Sequence, residues 1–151
     1  MRPVIPAILV FLTATAVPVC ASGFDDKIPD QQSIDALAAK ARQAPQREQC
    51  FLYAELVHEM TELSVRHYAA GDVDKAAELL RQVQELTHKI HLSVADDNKR
   101  LKSTEILLRH TAFRLTGMLH ASSFEDQALV AETLAQVNQV QSEAMLQVFR
   151  K

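Results

Sequence analysis

Apolar residues recur every three or four positions over most of this chain, with polar residues between them. That spacing places the apolar side chains on one face of an α-helix, and no stretch alternates as a strand would. The pattern predicts helices over 34–43, 46–70 and 124–149, and unbroken helical periodicity over 73–121. The predicted fold class is therefore all-α, built as antiparallel helical hairpins or as a four-helix bundle.

The ends of these helices carry recognisable signals. Pro45 ends the first helix, because proline lacks the backbone N–H that a helix interior needs. Gly71 suits the left-handed residue that follows a helix, and it closes the second one. Short polar side chains accept hydrogen bonds from free N–H groups at helix starts, with an acidic residue three positions later completing a capping box. The predicted caps are Ser33, Asp72 and Ser123, the last with Asp126.

The stretch 73–121 is one long central helix or two helices joined near Asp97. The apolar stripe has nearly the same phase on both sides of this point, which favours one helix. Lys99, Arg100 and Lys102 would also lie at the start of a second helix, where the helix dipole disfavours cations. We therefore expect one long helix. Each half of the molecule would then be only two helices thick, so a second copy of the chain would be needed to cover the apolar faces. A bend would instead give a compact four-helix bundle.

The N-terminus has the pattern of a secretory signal peptide. Arg2 precedes an apolar run over 4–19, and small residues follow at Ala21, Ser22 and Gly23. The run is shorter than the roughly 20 residues that span a membrane, so no stable membrane insertion is expected after cleavage. Cleavage after Ala21 predicts an exported protein, periplasmic or secreted.

The same terminus sets the predicted domain organisation. Lipid attachment at Cys20 is disfavoured, because Val-Pro-Val precedes it rather than small residues. The segment 22–32 is polar, with almost nothing to bury, and is typical of a flexible leader. The signal peptide therefore covers 1–21, the leader 22–32, and a single helical domain 33–151.

Charge and composition exclude several classes of function. The chain has 16 basic and 19 acidic residues and a net charge of −3, which disfavours nucleic acid and anionic membranes as partners. No Gly-rich phosphate loop, Ser/His/Asp signature or Cys/His zinc spacing occurs. The three glycines leave few of the loops on which active sites are commonly built. We therefore predict a non-enzymatic protein without a cofactor.

Cys50 would be the only cysteine left after cleavage. A disulfide with a second chain is one role for it, and a reactive thiol near a helix N-terminus is another. A third is a small residue packed inside the domain.

Histidines supply the candidate metal ligands. His88 and His91 are three residues apart on one helix, a spacing that lets two imidazoles bind a transition metal at a surface, with Glu85 as a third ligand. Two Glu-x-x-His motifs, Glu55 to His58 and Glu85 to His88, have the spacing of di-iron helix bundles. Their phase relative to the apolar stripes predicts that they face water. His67 lies on the core stripe and is expected to be a packed residue.

One segment is apolar on more than one side. Between 101 and 119 the chain carries apolar residues beyond its main stripe. A helix of this kind is buried on several faces, by its own chain or by a partner. The candidate partner surface consists of Ile106, Leu107, Phe113 and Met118.

Two resemblances accompany these patterns. The turn from Tyr68 to Ala76 resembles the helix-to-helix turn of tetratricopeptide repeats, although no second copy follows at the repeat length. The segment Gln49–His58 and the segment from Lys99 to Arg114 resemble exported helical proteins of Acidobacteria to which no activity is assigned. That resemblance implies export and a helical fold. The expected function is protein-protein interaction or self-association in the cell envelope, with a stress- or metal-responsive binding protein as the alternative.

Overall fold

A computed structural model describes residues 29–150 and is all-α, as predicted. The predicted signal peptide, Cys20 and most of the predicted leader lie outside the described residues. Within them there is no strand, and no helix is long and apolar enough to cross a membrane. The helices are α1 Gln31–Gln43, α2 Gln46–Ala69, α3 Val73–Ser93, α4 Leu101–Ala121 and α5 Gln127–Arg150.

Helix α1 begins three residues earlier than predicted. Asp30, not Ser33, is the N-cap: its carboxylate accepts the Ser33 N–H at 2.7 Å, and the Ser33 hydroxyl accepts the Asp30 N–H at 3.1 Å. These two reciprocal bonds form a capping box. Ile34 and Ala41 are buried, and among the helices of residues 29–150, α1 packs against α2 alone.

Gly71 ends α2 as predicted. Its φ of +86° is a left-handed conformation that glycine adopts without strain. The Gly71 N–H donates to the Tyr68 carbonyl at 3.0 Å, and the Asp72 N–H donates to the His67 carbonyl at 2.9 Å. This pair of bonds is a Schellman motif. Asp72 caps α3 by position only, since its side chain makes no cap hydrogen bond.

The expected long central helix is wrong. Helix α3 ends at Ser93, and α4 begins at Leu101. The side chain of Asn98 is buried and donates to the carbonyls of Ser93 at 2.7 Å and Val94 at 3.3 Å. These bonds satisfy acceptors that the end of α3 leaves free. The chain therefore turns back here, and the bent alternative, a compact bundle, is the observed one.

Arg100 completes this turn in a left-handed conformation, with φ +59°. A side chain with a Cβ pays about 1 kcal/mol for that conformation, and glycine does not. We therefore expect the free energy of unfolding of Arg100→Gly, measured by urea denaturation, to be about 1 kcal/mol higher than that of Arg100→Ala. Both variants lose the stacking of the guanidinium 3.5 Å over the Phe51 ring, so the comparison isolates the backbone. Equal stabilities would contradict the assigned conformation.

Helices α2 to α5 form a four-helix bundle in which α3 and α4, although consecutive, are not neighbours. Helix α2 packs against α3 and α4, and α5 packs against the same two helices. Bonds from Glu62 to Arg114 and from Glu48 to Lys99 show that α2 and α4 run parallel. The connection between α3 and α4 therefore crosses the end of the bundle diagonally. The largest fully buried apolar side chains of the core are Ile34, Leu56, Val57, Leu80, Val83, Ile90, Leu108, Leu115, Val130 and Val137.

Helix α5 begins later than its predicted start at Phe124. Residues 124–126 form a turn, and the helix starts at Gln127. The Ser123 hydroxyl donates to Asp126 at 2.6 Å, so the predicted pair is in contact. The Tyr68 hydroxyl accepts the Ser123 N–H at 2.8 Å and donates to Asp126 at 3.2 Å. These bonds tie the start of α5 to the end of α2.

Candidate functional site

Cys50 lies inside the protein. Its side chain is fully buried beside Ser93, and burial raises the pKa of the thiol from 9.0 to about 11. A thiol with a raised pKa is mostly protonated at neutral pH and is a poor nucleophile. A disulfide to a second chain would require the bundle to open. The geometry supports the packed role among the three considered.

The raised pKa makes part of the stability pH-dependent. Because the folded pKa lies above the unfolded one, the unfolded chain loses this proton first, and the stabilisation present below pH 9 declines between about pH 9 and 11. Between pH 8 and about pH 10 we expect the wild type to lose about 1 kcal/mol more unfolding free energy than Cys50→Ala. Urea denaturation at the two pH values measures this difference. Equal losses would show that the thiol titrates normally.

The first Glu-x-x-His motif does not face water as predicted. His58 is half-buried between α2 and α4, and its Nδ1 lies 3.2 Å from the Thr111 hydroxyl. That hydroxyl already donates to the Leu107 carbonyl, so the imidazole nitrogen is the donor. Burial lowers the pKa of His58 and raises the pKa of Glu55.

His88 and His91 lie beside a groove between α3 and α5. The groove has a volume of about 550 Å³ and is lined by Gln84, Glu85, Thr87, His88, His91, Gln136, Gln139 and Val140. The two imidazole rings stack with centroids 6.1 Å apart, and His91 Nδ1 donates to Glu143 at 2.8 Å. Among residues 29–150, no three His, Cys, Asp or Glu side chains come together as a metal site. Metal binding by His88, His91 and Glu85 therefore stays a prediction.

His67 is half-buried at the end of α2 rather than in the core. Its Nδ1 lies 3.5 Å from the Asp72 carboxylate, in the turn that precedes α3. The His67 side chain therefore contributes to the turn between α2 and α3.

The predicted partner surface on α4 is divided by the fold. Met118 is buried in the core, and Leu107 is partly buried and packs against the core. Ile106 is half-buried, and only Phe113, 76% exposed, stands out from the surface. Helix α4 is apolar on several sides because α2 and α5 cover two of them. These four residues therefore do not form one exposed surface.

Helix α5 has an exposed face that the sequence pattern did not predict. Its exposed positions include a series alternately three and four residues apart, which we call the α5 seam: Ala128, Ala131, Ala135, Asn138, Ser142, Met145 and Phe149. This is the heptad spacing by which one helix packs along another. Leu146, 58% exposed, borders the seam.

The exposed surface of α5 is also nearly without charge. Only Glu132 and Arg150 are charged among its exposed positions. Helix α3 shows the usual solvated surface, with exposed Asp74, Lys75, Glu78, Arg81, Glu85 and Lys89. An uncharged helical face that ends in exposed Met and Phe side chains is typical of a protein-binding surface.

The fold places the described residues in the class of all-α helical bundles, with the α5 seam as an exposed face. No family model, no curated protein and no solved structure matches the chain.

Proposed function

We propose that this chain is a non-enzymatic, exported protein that acts by binding an amphipathic helix of another polypeptide along the α5 seam. The observation that carries the proposal is the heptad series of small and apolar residues at exposed positions of α5. The signal-like pattern of residues 1–21 supports export to the cell envelope or the medium.

The chemistry of the seam supports a helical partner over a small ligand. The side chains of Ala128, Ala131 and Ala135 are short, so a second helix can approach α5 closely at these positions. At the other end, Met145 and Phe149 offer large side chains, the latter 81% exposed. The seam contains no charged side chain to anchor an ionic ligand.

The seam is also independent of the bundle's own stability. The core stripe of α5, which includes Val130, Val137 and Ala144, lies on the opposite side of the helix and is fully buried. The seam residues are therefore available while the protein stays folded. Substitutions on the seam are expected to change binding with little effect on folding.

Photo-crosslinking in living cells tests this function. A benzophenone amino acid replaces Ser142 on the seam in one variant and Ala36, exposed on α1, in a matched control. We expect a discrete crosslinked product, identified by mass spectrometry, from position 142 and not from position 36. The crosslinked site on the partner should lie on a helix with an apolar stripe. Absence of any product at position 142 would contradict the proposed function.

A further inference from the structure

We propose that the helix bound along the α5 seam is α5 of a second copy of this chain, packed antiparallel about a two-fold axis near Asn138. This inference rests on the proposed function and names its partner. It follows from the distribution of side-chain sizes, polar groups and charges along the seam.

Side-chain size favours the antiparallel arrangement. The small residues Ala128 and Ala131 lie near the start of α5, and the large residues Met145 and Phe149 lie near its end. An antiparallel pair centred near Asn138 places Phe149 opposite Ala128 and Met145 opposite Ala131 of the second copy. Each large side chain then meets a small one, and the helices keep a constant separation. A parallel pair would crowd one end and leave a gap at the other.

Asn138 lies at the centre of the seam, where the two-fold axis would pass. In the antiparallel pair the two Asn138 side chains meet, and each amide has both a donor and an acceptor for the other. An amide side chain at the centre of a seam of mostly small and apolar residues fixes the register of a helix pair, because other registers leave that amide without a partner.

The charges next to the seam fit the same arrangement. Glu125 lies just before α5, and Arg150 is its last residue, both exposed. Antiparallel packing brings Arg150 near Glu125 of the second copy, at both ends of the interface. A parallel pair would bring like charges together instead, which is unfavourable.

The length of the seam is sufficient for a reversible dimer. Helix α5 has 24 residues and a length of about 36 Å. Two such helices in contact bury on the order of 1,200 Å² in total, the lower end of stable, specific interfaces. We therefore expect a dimer that dissociates on dilution rather than an obligate one.

Light scattering coupled to size exclusion, over a range of protein concentrations, tests the dimer. We expect the full chain, as purified after expression, to be monomeric at low concentration and dimeric at high concentration. Ala135→Glu should weaken dimerisation by at least about tenfold, because it places a carboxylate without a partner in the interface, opposite Ser142 of the second copy. The matched control Ala36→Glu, on exposed α1, should leave it unchanged. Circular dichroism establishes that both variants are folded.

A pair of opposite charges introduced across the interface tests the orientation of the two helices. Ala131→Glu alone and Met145→Lys alone should each weaken the dimer, and the double variant should restore it, because antiparallel packing sets these positions opposite each other. Failure of the double variant to restore the dimer would overturn the antiparallel arrangement. A monomer at all concentrations, with a product at position 142 that contains a different polypeptide, would overturn the second copy as partner and leave the proposed function standing.

Discussion

Leu108→Ala is expected to lower the free energy of unfolding by about 2–5 kcal/mol, among the largest losses that a single truncation produces here. Leu108 lies in α4 and is fully buried. Alanine removes apolar contacts and leaves a cavity that close-packed neighbours fill only in part. Urea denaturation followed by circular dichroism measures the loss.

The matched control is Leu92→Ala. Leu92 is at the end of α3 and is 68% exposed, so the same truncation should change stability by less than about 0.5 kcal/mol. A loss at Leu108 no larger than that at Leu92 would contradict the placement of α4 in the core.

Asn98→Ala is the second large effect, with an expected loss of about 1–3 kcal/mol. The substitution removes the buried amide that donates to the carbonyls of Ser93, Val94 and Asp96. The Ser93 and Asp96 carbonyls keep backbone N–H donors, from Asp96 and Asn98. The carbonyl of the buried residue Val94 loses its side-chain donor, and an acceptor left unsatisfied in a buried position pays the cost of its desolvation. Urea denaturation gives the loss, and we expect no change in helical content below the transition.

Asp97→Ala is its control in the same turn. Asp97 forms an ion pair with Arg47 at 2.8 Å, in which both side chains are largely exposed. Exposed ion pairs contribute at most about 1 kcal/mol. If Asp97→Ala costs more than Asn98→Ala, the ion pair rather than the buried amide holds the turn.

Most of the fold could be predicted from the sequence because its signals are local. The apolar periodicity predicted four helical stretches, which together cover the five helices because α3 and α4 lie within one stretch. Gly71 marked the end of α2, since its left-handed conformation depends only on neighbouring residues. Start positions were less accurate, because Asp30 and Ser33 are both good capping residues and together form one capping box.

The break between α3 and α4 was missed because tertiary contacts offset its local cost. Two of the three cations expected to disfavour the start of α4 have partners on α2. Lys99 pairs with Glu48 at 3.2 Å, and Arg100 stacks on Phe51. The Lys99 N–H also donates to the Arg47 carbonyl at 2.9 Å. Two separate helices can face one core at any relative phase, so the matching phase of the two stripes did not require a continuous helix.

The α5 seam was missed for a different reason. Large apolar residues beyond the main stripe predicted a partner surface on α4, but Met118 and Leu107 are covered by the chain itself. The signal on α5 was an absence of charge at heptad spacing, in residues such as Ala135 and Ser142 that are individually unremarkable in a helix. Burial separates the two cases, and burial depends on which helices become neighbours.

Thiol accessibility at the seam tests the central claim most directly. Ser142→Cys and the control Ala36→Cys both place a cysteine at an exposed position, while Cys50 is buried and should react slowly. Labelling with N-ethylmaleimide is compared in living cells and in dilute purified protein. We expect labelling at position 142 to be several-fold slower in cells than in dilute protein, and labelling at position 36 to be the same in both. If the ratio of the labelling rate in cells to the rate in dilute protein is the same at positions 142 and 36, nothing covers the seam, and the account is contradicted.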